Sequence, residues 1–137
     1  MLYDKSVYTS EAHKINITMI TILGAGGFIG SHIVKLLQRN NTDHYAPARD
    51  EELNDTDLGD VIYCIGLTAD FRSKPFETVE AHVCKLSYIL NKCTFSSLTY
   101  LSSARVYINC ESAEVNEAAV IPVNPLDPDE LYTLTKL

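Results

Sequence analysis

The chain has no cluster of lysine and arginine: 11 basic residues stand against 18 acidic ones in 137, a formal net charge of −7. Without a basic patch to release counterions from a phosphate backbone, nucleic acid is excluded as an expected partner. No window approaches the roughly 20 apolar residues of a membrane span. The opening residues Met1 to Ser6 lack a basic segment followed by an apolar stretch and a cleavage site, so no secretory signal is read and the cytoplasm is expected. Cys64, Cys84, Cys93 and Cys110 show neither Cys-x-x-Cys spacing nor a histidine arrangement of the zinc type. They are read as reduced thiols used in packing, and no metal site is expected. There is no internal repeat and no low-complexity tract. What is there, with 46% apolar residues, is enough chain for one globular domain with a sizeable core.

Residues 1–16 are polar and aperiodic and read as a flexible leader, with the domain over 17–137. Ile17 to Leu23 is β-branched and runs directly into glycines, as a buried parallel strand does. Ile29, Ile33, Leu36 and Leu37 recur at helical spacing and predict an amphipathic helix from Phe28 to Arg39. A weaker strand, His44 to Ala48, is expected at an edge, because Pro47 cannot donate to a ladder. Val61 to Ile65 and Leu98 to Ser102 read as further strands. Between them Val79, Val83, Leu86, Leu90 and Cys93 predict a helix over Lys74 to Cys93 with a single apolar stripe. Pro122, Pro125 and Pro128 mark a loop, and Asp127 or Asp129 is expected to cap a helix that begins near Glu130. Strands alternating with helices imply an α/β fold, a doubly wound parallel sheet with helices on both faces.

Between the first strand and its helix lies Gly24-x-x-Gly27-x-x-Gly30. A dinucleotide pyrophosphate needs exposed backbone N–H groups, a positive helix end and no Cβ in the way, and glycines at this junction supply all three. Gly24 allows the tight turn, Gly27 a close backbone approach, and Gly30 the packing of the helix. Phe28 and Ile29, which open the helix, complete the candidate phosphate-binding set. Arg49 and Asp50 fall where the second strand should end and meet the adenosine ribose. Aspartate would accept from the ribose hydroxyls and favour NAD; arginine would pair with a 2′-phosphate and favour NADP. The sequence carries both.

At the other end stands Tyr132-x-x-x-Lys136. A phenol with a pKa of about 10 is a poor base at neutral pH unless a cation lowers it. A lysine one helical turn later sits on the same face to do so, and it can also bond a nicotinamide ribose. Ser102 and Ser103 lie at the end of a strand, with Ser103 the candidate for orienting a substrate hydroxyl. A second instance of the spacing, Tyr88-x-x-x-Lys92, precedes the serine strand and reads as structural.

These segments, with Val61 to Ala69 and Leu101 to Tyr107, resemble in order and type the extended short-chain dehydrogenases, in particular the NAD-dependent epimerase/dehydratase group of UDP-glucose 4-epimerase and its relatives. The resemblance covers Ile17 to Leu137. It implies a Rossmann domain that binds NAD, with NADP possible, followed by a smaller C-terminal domain for a nucleotide sugar, usually in homodimers. By that match Ser103, Tyr132 and Lys136 take the catalytic positions, while Ile65 and Gly66 line the cofactor. The chain departs from the pattern in three places. Asp50 to Asp60 is too short for the usual strand and helix, so an edge strand should be missing. His82 stands where an asparagine is common, and Ile108 where glycine is frequent.

The expectation is therefore the cofactor-binding part of a sugar-nucleotide epimerase, dehydratase or reductase, lacking the later strands and the substrate domain. Tyr132 would act as base and then acid, tuned by Lys136. The alternative is a truncated module that binds NAD(P) and regulates a partner without chemistry.

Overall fold

The structure, a computed structural model, describes residues 19–67, 69–112 and 114–137. The expected leader and the first two residues of the first expected strand lie outside them. Four parallel strands form one sheet: β1 (Ile20–Leu23), β2 (His44–Tyr45), β3 (Asp60–Tyr63) and β4 (Ser97–Tyr100), in the order β2-β1-β3-β4. Helix α1 (Phe28–Arg39) joins β1 to β2. A longer helical passage joins β3 to β4, made of α2 (Pro75–Val79), a π turn (Glu80–Cys84) and α3 (Lys85–Lys92). The two crossovers leave the centre of the sheet in opposite directions. Right-handed connections then place α1 and the second helix on opposite faces, which makes the sheet doubly wound. The strand order reverses between β1 and β3, and ligands of open α/β sheets bind beyond the carboxyl ends of strands at such a switch.

Side-chain alternation fills the face under α3. Leu23, Val61 and Tyr63 form a core with Leu53, Leu58 and Ile89, and Tyr45, Leu86, Leu98 and Tyr100 pack against it. Each fully buried aliphatic or aromatic side chain of this kind contributes about 1.5–3 kcal/mol. Two polar groups of this core are paired: the Tyr63 hydroxyl donates to the Ala81 carbonyl at 2.7 Å, and Thr21 Oγ1 donates to the Leu58 carbonyl at 2.6 Å.

The differences from the sequence expectations have identifiable causes. β2 is only two residues long. Beyond it the Glu51 carboxylate accepts from the Ala48 N–H at 2.9 Å and from the Tyr45 hydroxyl, which folds the chain back around Pro47. β3 and β4 end at Tyr63 and Tyr100, two residues earlier than the apolar runs suggest. As expected, Asp50 to Asp60 holds no strand–helix pair; up to the start of β3 at Asp60 it is a loop that drops Leu53 and Leu58 into the core, and β2 is the sheet edge on its side among the described residues. The helix between β3 and β4 buries only part of the expected stripe: Leu86 and Cys93 pack against the core. The π turn adds a residue and rotates the helix, so Thr78, Ala81, His82 and Ile89 face inward while Val83 and Leu90 are exposed. Cys84, in that turn, is also exposed and does not pack as expected, although the thiols are free.

The last helix, α4 (Glu130–Lys136), is preceded by Asp129, whose side chain makes no cap. Its carboxylate is taken by the Arg72 guanidinium instead, and Asp127 Oδ1 accepts from the Asp129 N–H at 2.9 Å. No helix among the described residues is long and apolar enough to cross a membrane.

Candidate functional site

The site begins with the turn that follows β1. Gly24 has φ +89, and a Cβ there would stand 2.9 Å from the Ile65 nitrogen and 3.0 Å from the Cys64 carbonyl carbon. The loop after β3 therefore presses on the glycine turn, and only a residue without a side chain permits both the backbone angle and the approach. A Cβ at Gly30 would meet the Gly24 carbonyl oxygen at 2.3 Å, so this glycine seats the helix on the turn itself. Gly27 is the N-cap of α1 and donates its N–H to the Gly24 carbonyl at 3.0 Å. No side chain caps α1, and its first turn holds no acidic residue. Gly26, Gly27, Phe28 and Ile29 are exposed, and at Gly26 no atom lies within 4 Å of where a Cβ would be. An open helix N-terminus without a competing carboxylate attracts an anion. This turn fits the pyrophosphate of a dinucleotide, with the amides of Gly26, Phe28 and Ile29 as the holding groups.

Ile65 and Gly66 carry the surface from the glycine turn toward α4. A Cβ at Gly66 would stand 3.1 Å from His82 Nε2 and 3.2 Å from Lys136 Nζ. The loop, the histidine and the lysine thus meet at one point. Lys136 Nζ donates to the Leu101 carbonyl at 3.1 Å and lies 4.7 Å from the centre of the Tyr100 ring. Burial holds its pKa below the ordinary lysine value. From the next residue, Ser102 Oγ donates to the Lys136 carbonyl at 2.9 Å, so the strand end and α4 are stitched twice.

Tyr132 is buried, with its ring 5.2 Å from that of Phe71 and edge-on to His82 at 5.5 Å. The Arg105 guanidinium lies over the same ring at 5.8 Å. Ser103 is half-buried and caps a short 3₁₀ turn, Ala104–Tyr107, by accepting the Arg105 N–H at 3.2 Å. Accepting this bond leaves the hydroxyl proton to donate elsewhere. Arg49 and Asp50 are exposed in the turn after β2, on the side of β1 away from β3. The second spacing, Tyr88 and Lys92, is structural: the Tyr88 hydroxyl donates to Asn54 Oδ1 at 2.7 Å and the ring packs on the core.

In the sequence His82 stands out only as a departure, and Thr135 carries no signal. The Leu67 N–H donates to His82 Nε2 at 3.0 Å, and His82 Nδ1 lies 2.8 Å from Thr135 Oγ1, 53 residues away in the chain. His82 is 1% exposed. Burial first, and then the charge of Lys136, push its pKa down to about 4. Phe71 and Arg105 are likewise missed, because only the folded chain brings them to Tyr132.

No protein-family model matches the chain, and no curated protein matches it. Among solved structures it is similar to RMD from Pseudomonas aeruginosa, determined in complex with NADPH. The TM-score is 0.52 with 20% identity, over 86% of this chain and 46% of that one. The chain thus spans about half the length of the protein it matches. At this identity the likeness bears on architecture alone, and with the strand order above it establishes that the chain has an α/β fold of the Rossmann type.

Proposed function

We propose that the chain is the NAD(P)-binding part of an oxidoreductase of short-chain dehydrogenase type. The observation that carries the proposal is the place of Lys136. Its ammonium stands 3.2 Å from the Cβ position of Gly66, in the same loop whose Ile65 nitrogen abuts Gly24. The glycine turn and α4 thus both abut the loop after β3, beyond the carboxyl ends of β1 and β3. The NADPH held by the similar protein supports the same choice of ligand.

The nicotinamide, when bound, accepts or returns hydride. The amides of Gly26, Phe28 and Ile29 would hold the pyrophosphate, with Gly27 closing the turn beneath it, and Ile65 and Gly66 would flank the nicotinamide half. Arg49 and Asp50 would face the adenosine ribose, with NAD and NADP both compatible. Tyr132 would take the proton from a substrate hydroxyl while hydride leaves the same carbon, and Lys136 would favour its phenolate. Ser103 would hold the hydroxyl in place. The finer reading is a nucleotide-sugar substrate undergoing epimerisation, dehydration or reduction, with further chain supplying its pocket. Val83, Leu90, Leu134 and Leu137, exposed together beside α3 and α4, would be covered in a homodimer.

Titration with NADH and NADPH, followed by nicotinamide fluorescence, tests the first level; absence of binding to either overturns it. Tyr132→Phe in the active enzyme should lower turnover by about 10²–10⁴-fold with the cofactor still bound. Unchanged turnover removes Tyr132 from the role. A second reading, a dinucleotide-binding regulator without chemistry, is favoured by the loop that replaces a strand–helix pair between Asp50 and Asp60. It predicts NAD(P) binding that survives Tyr132→Phe and no turnover in either protein.

A further inference from the structure

We infer that His82 is a positioning residue that ties the loop after β3 to the Tyr132/Lys136 helix, so that a dinucleotide resting on that loop fixes where the phenol and the ammonium stand. The inference rests on the dinucleotide reading above and adds to it the part that makes the two halves of the site one unit.

The hydrogen bonds set the protonation of the ring. A backbone N–H can only donate, so the Leu67 N–H makes His82 Nε2 an acceptor, and that nitrogen carries no proton. In the neutral ring the proton is then on Nδ1, which donates to Thr135 Oγ1 at 2.8 Å. The Thr135 hydroxyl in turn donates to the Tyr132 carbonyl at 3.1 Å. Each group in this chain of three bonds uses its donor once and in one direction, from Leu67 through His82 and Thr135 to Tyr132. The ring also packs against Tyr132 and shares the approach to Gly66 with Lys136. It is edge-on to Tyr132 at 5.5 Å, and its Nε2 and the Lys136 ammonium converge on Gly66. Position on the helix is part of the device. His82 lies inside the π turn, whose extra residue turns it inward. The Tyr63 hydroxyl donates to the carbonyl of the neighbouring Ala81, which anchors the turn to β3.

Packing alone would ask only for a flat ring of this size, so the two readings order the variants oppositely. His82→Phe keeps a ring and removes both nitrogens. His82→Gln keeps an acceptor within reach of the Leu67 N–H. The tie predicts that His82→Phe weakens NADPH binding to the chain about tenfold, with His82→Gln recovering part of the loss. It also predicts that the Leu67 amide is protected from hydrogen exchange in wild type and in His82→Gln but not in His82→Phe. If phenylalanine binds as wild type does and glutamine is worse, the role is packing and the inference is wrong. Two-bond ¹H–¹⁵N spectra of the histidine rings should show His82 protonated at Nδ1 and bare at Nε2; the opposite tautomer overturns the proposal. Should His82→Phe fail to fold, Thr135→Val cuts the other bond from outside the ring. It should weaken NADPH binding by a similar factor while leaving Leu67 protected, and wild-type affinity in this variant would contradict the tie. If the wild-type chain binds neither NADH nor NADPH, the dinucleotide reading and the positioning role fail together. The tautomer and the Leu67 protection then decide separately whether the bridge between loop and helix exists.

Discussion

At the glycine turn, what fixes the geometry is backbone against backbone: Gly24 on Ile65, Gly27 on Gly24, and Gly30 on the Gly24 carbonyl. At α4 the same task falls to side chains, with Lys136 on Leu101, Ser102 on the Lys136 carbonyl, and His82 between Leu67 and Thr135. A backbone contact depends on what a residue lacks, so one added methyl group disturbs it. A side-chain contact depends on a polar group being buried with its partner, so it responds to protonation and to removal of either member. The two halves of the proposed site should therefore break in different ways.

The sharpest break is expected at Gly30. A Cβ there meets the Gly24 carbonyl oxygen at 2.3 Å, and backbone on both sides of the contact has little room to move. Gly30→Ala should destabilise the fold by about 3 kcal/mol or more, read from denaturant unfolding, and should abolish NADPH binding. A fully stable Gly30→Ala protein would show that the turn is looser than the structure has it.

The α4 half should answer to acid. The His82 ring takes a proton near pH 6.5 when unfolded but only near about 4 when folded, because it is buried and faces Lys136. Between those values the unfolded chain binds more protons, so stability is complete above about pH 6.5 and falls as the pH drops through the window, by about 3 kcal/mol in all. Lys136, lowered by burial, acts at the alkaline end, where stability rises with pH, so the two do not overlap. Tyr132 is the other titratable ring against His82. His82→Gln should flatten the acid slope, and a slope unchanged in this variant would assign it to other groups.

A smaller effect is expected where the two halves share a support. Tyr63→Phe leaves the buried Ala81 carbonyl in the π turn without its 2.7 Å donor and should cost about 1–2 kcal/mol of stability. The loss should be accompanied by faster exchange at Leu67. Smallest of all is the ion pair at the start of α4. Arg72 and Asp129 are exposed, 54% and 43% at the side chain, so Arg72→Ala should leave the melting temperature unchanged within error. A clear drop would mean that this pair, and not His82, holds α4 in place.

The backbone half was legible in the sequence because its signals are local. Glycines at fixed intervals between a β-branched run and an amphipathic run state a strand, a turn and a helix, and Asp50 to Asp60 was visibly too short for an additional strand–helix pair. The side-chain half was legible only in its end points. Tyr132 and Lys136 announce themselves by spacing, but the partners that place them come from distant segments. The stripe of Val79, Val83, Leu86, Leu90 and Cys93 assumes a regular helical period. Periodicity cannot register the one-residue slip at Glu80–Cys84, and that slip is what turns His82 inward and Val83 outward. Position before α4 makes Asp127 and Asp129 equal candidates for its cap, yet the Arg72 guanidinium claims the Asp129 carboxylate while Asp127 accepts the Asp129 N–H.

In the proposed function the glycine turn and α4 serve one ligand. Mapping backbone amide shifts as NADPH is added to the chain tests it directly. The prediction is that the amides of Gly24 to Gly30, those of Ile65 and Gly66, and that of Lys136 move together along one saturation curve. Movement at the glycine turn with α4 untouched, or separate curves for the two regions, would contradict it.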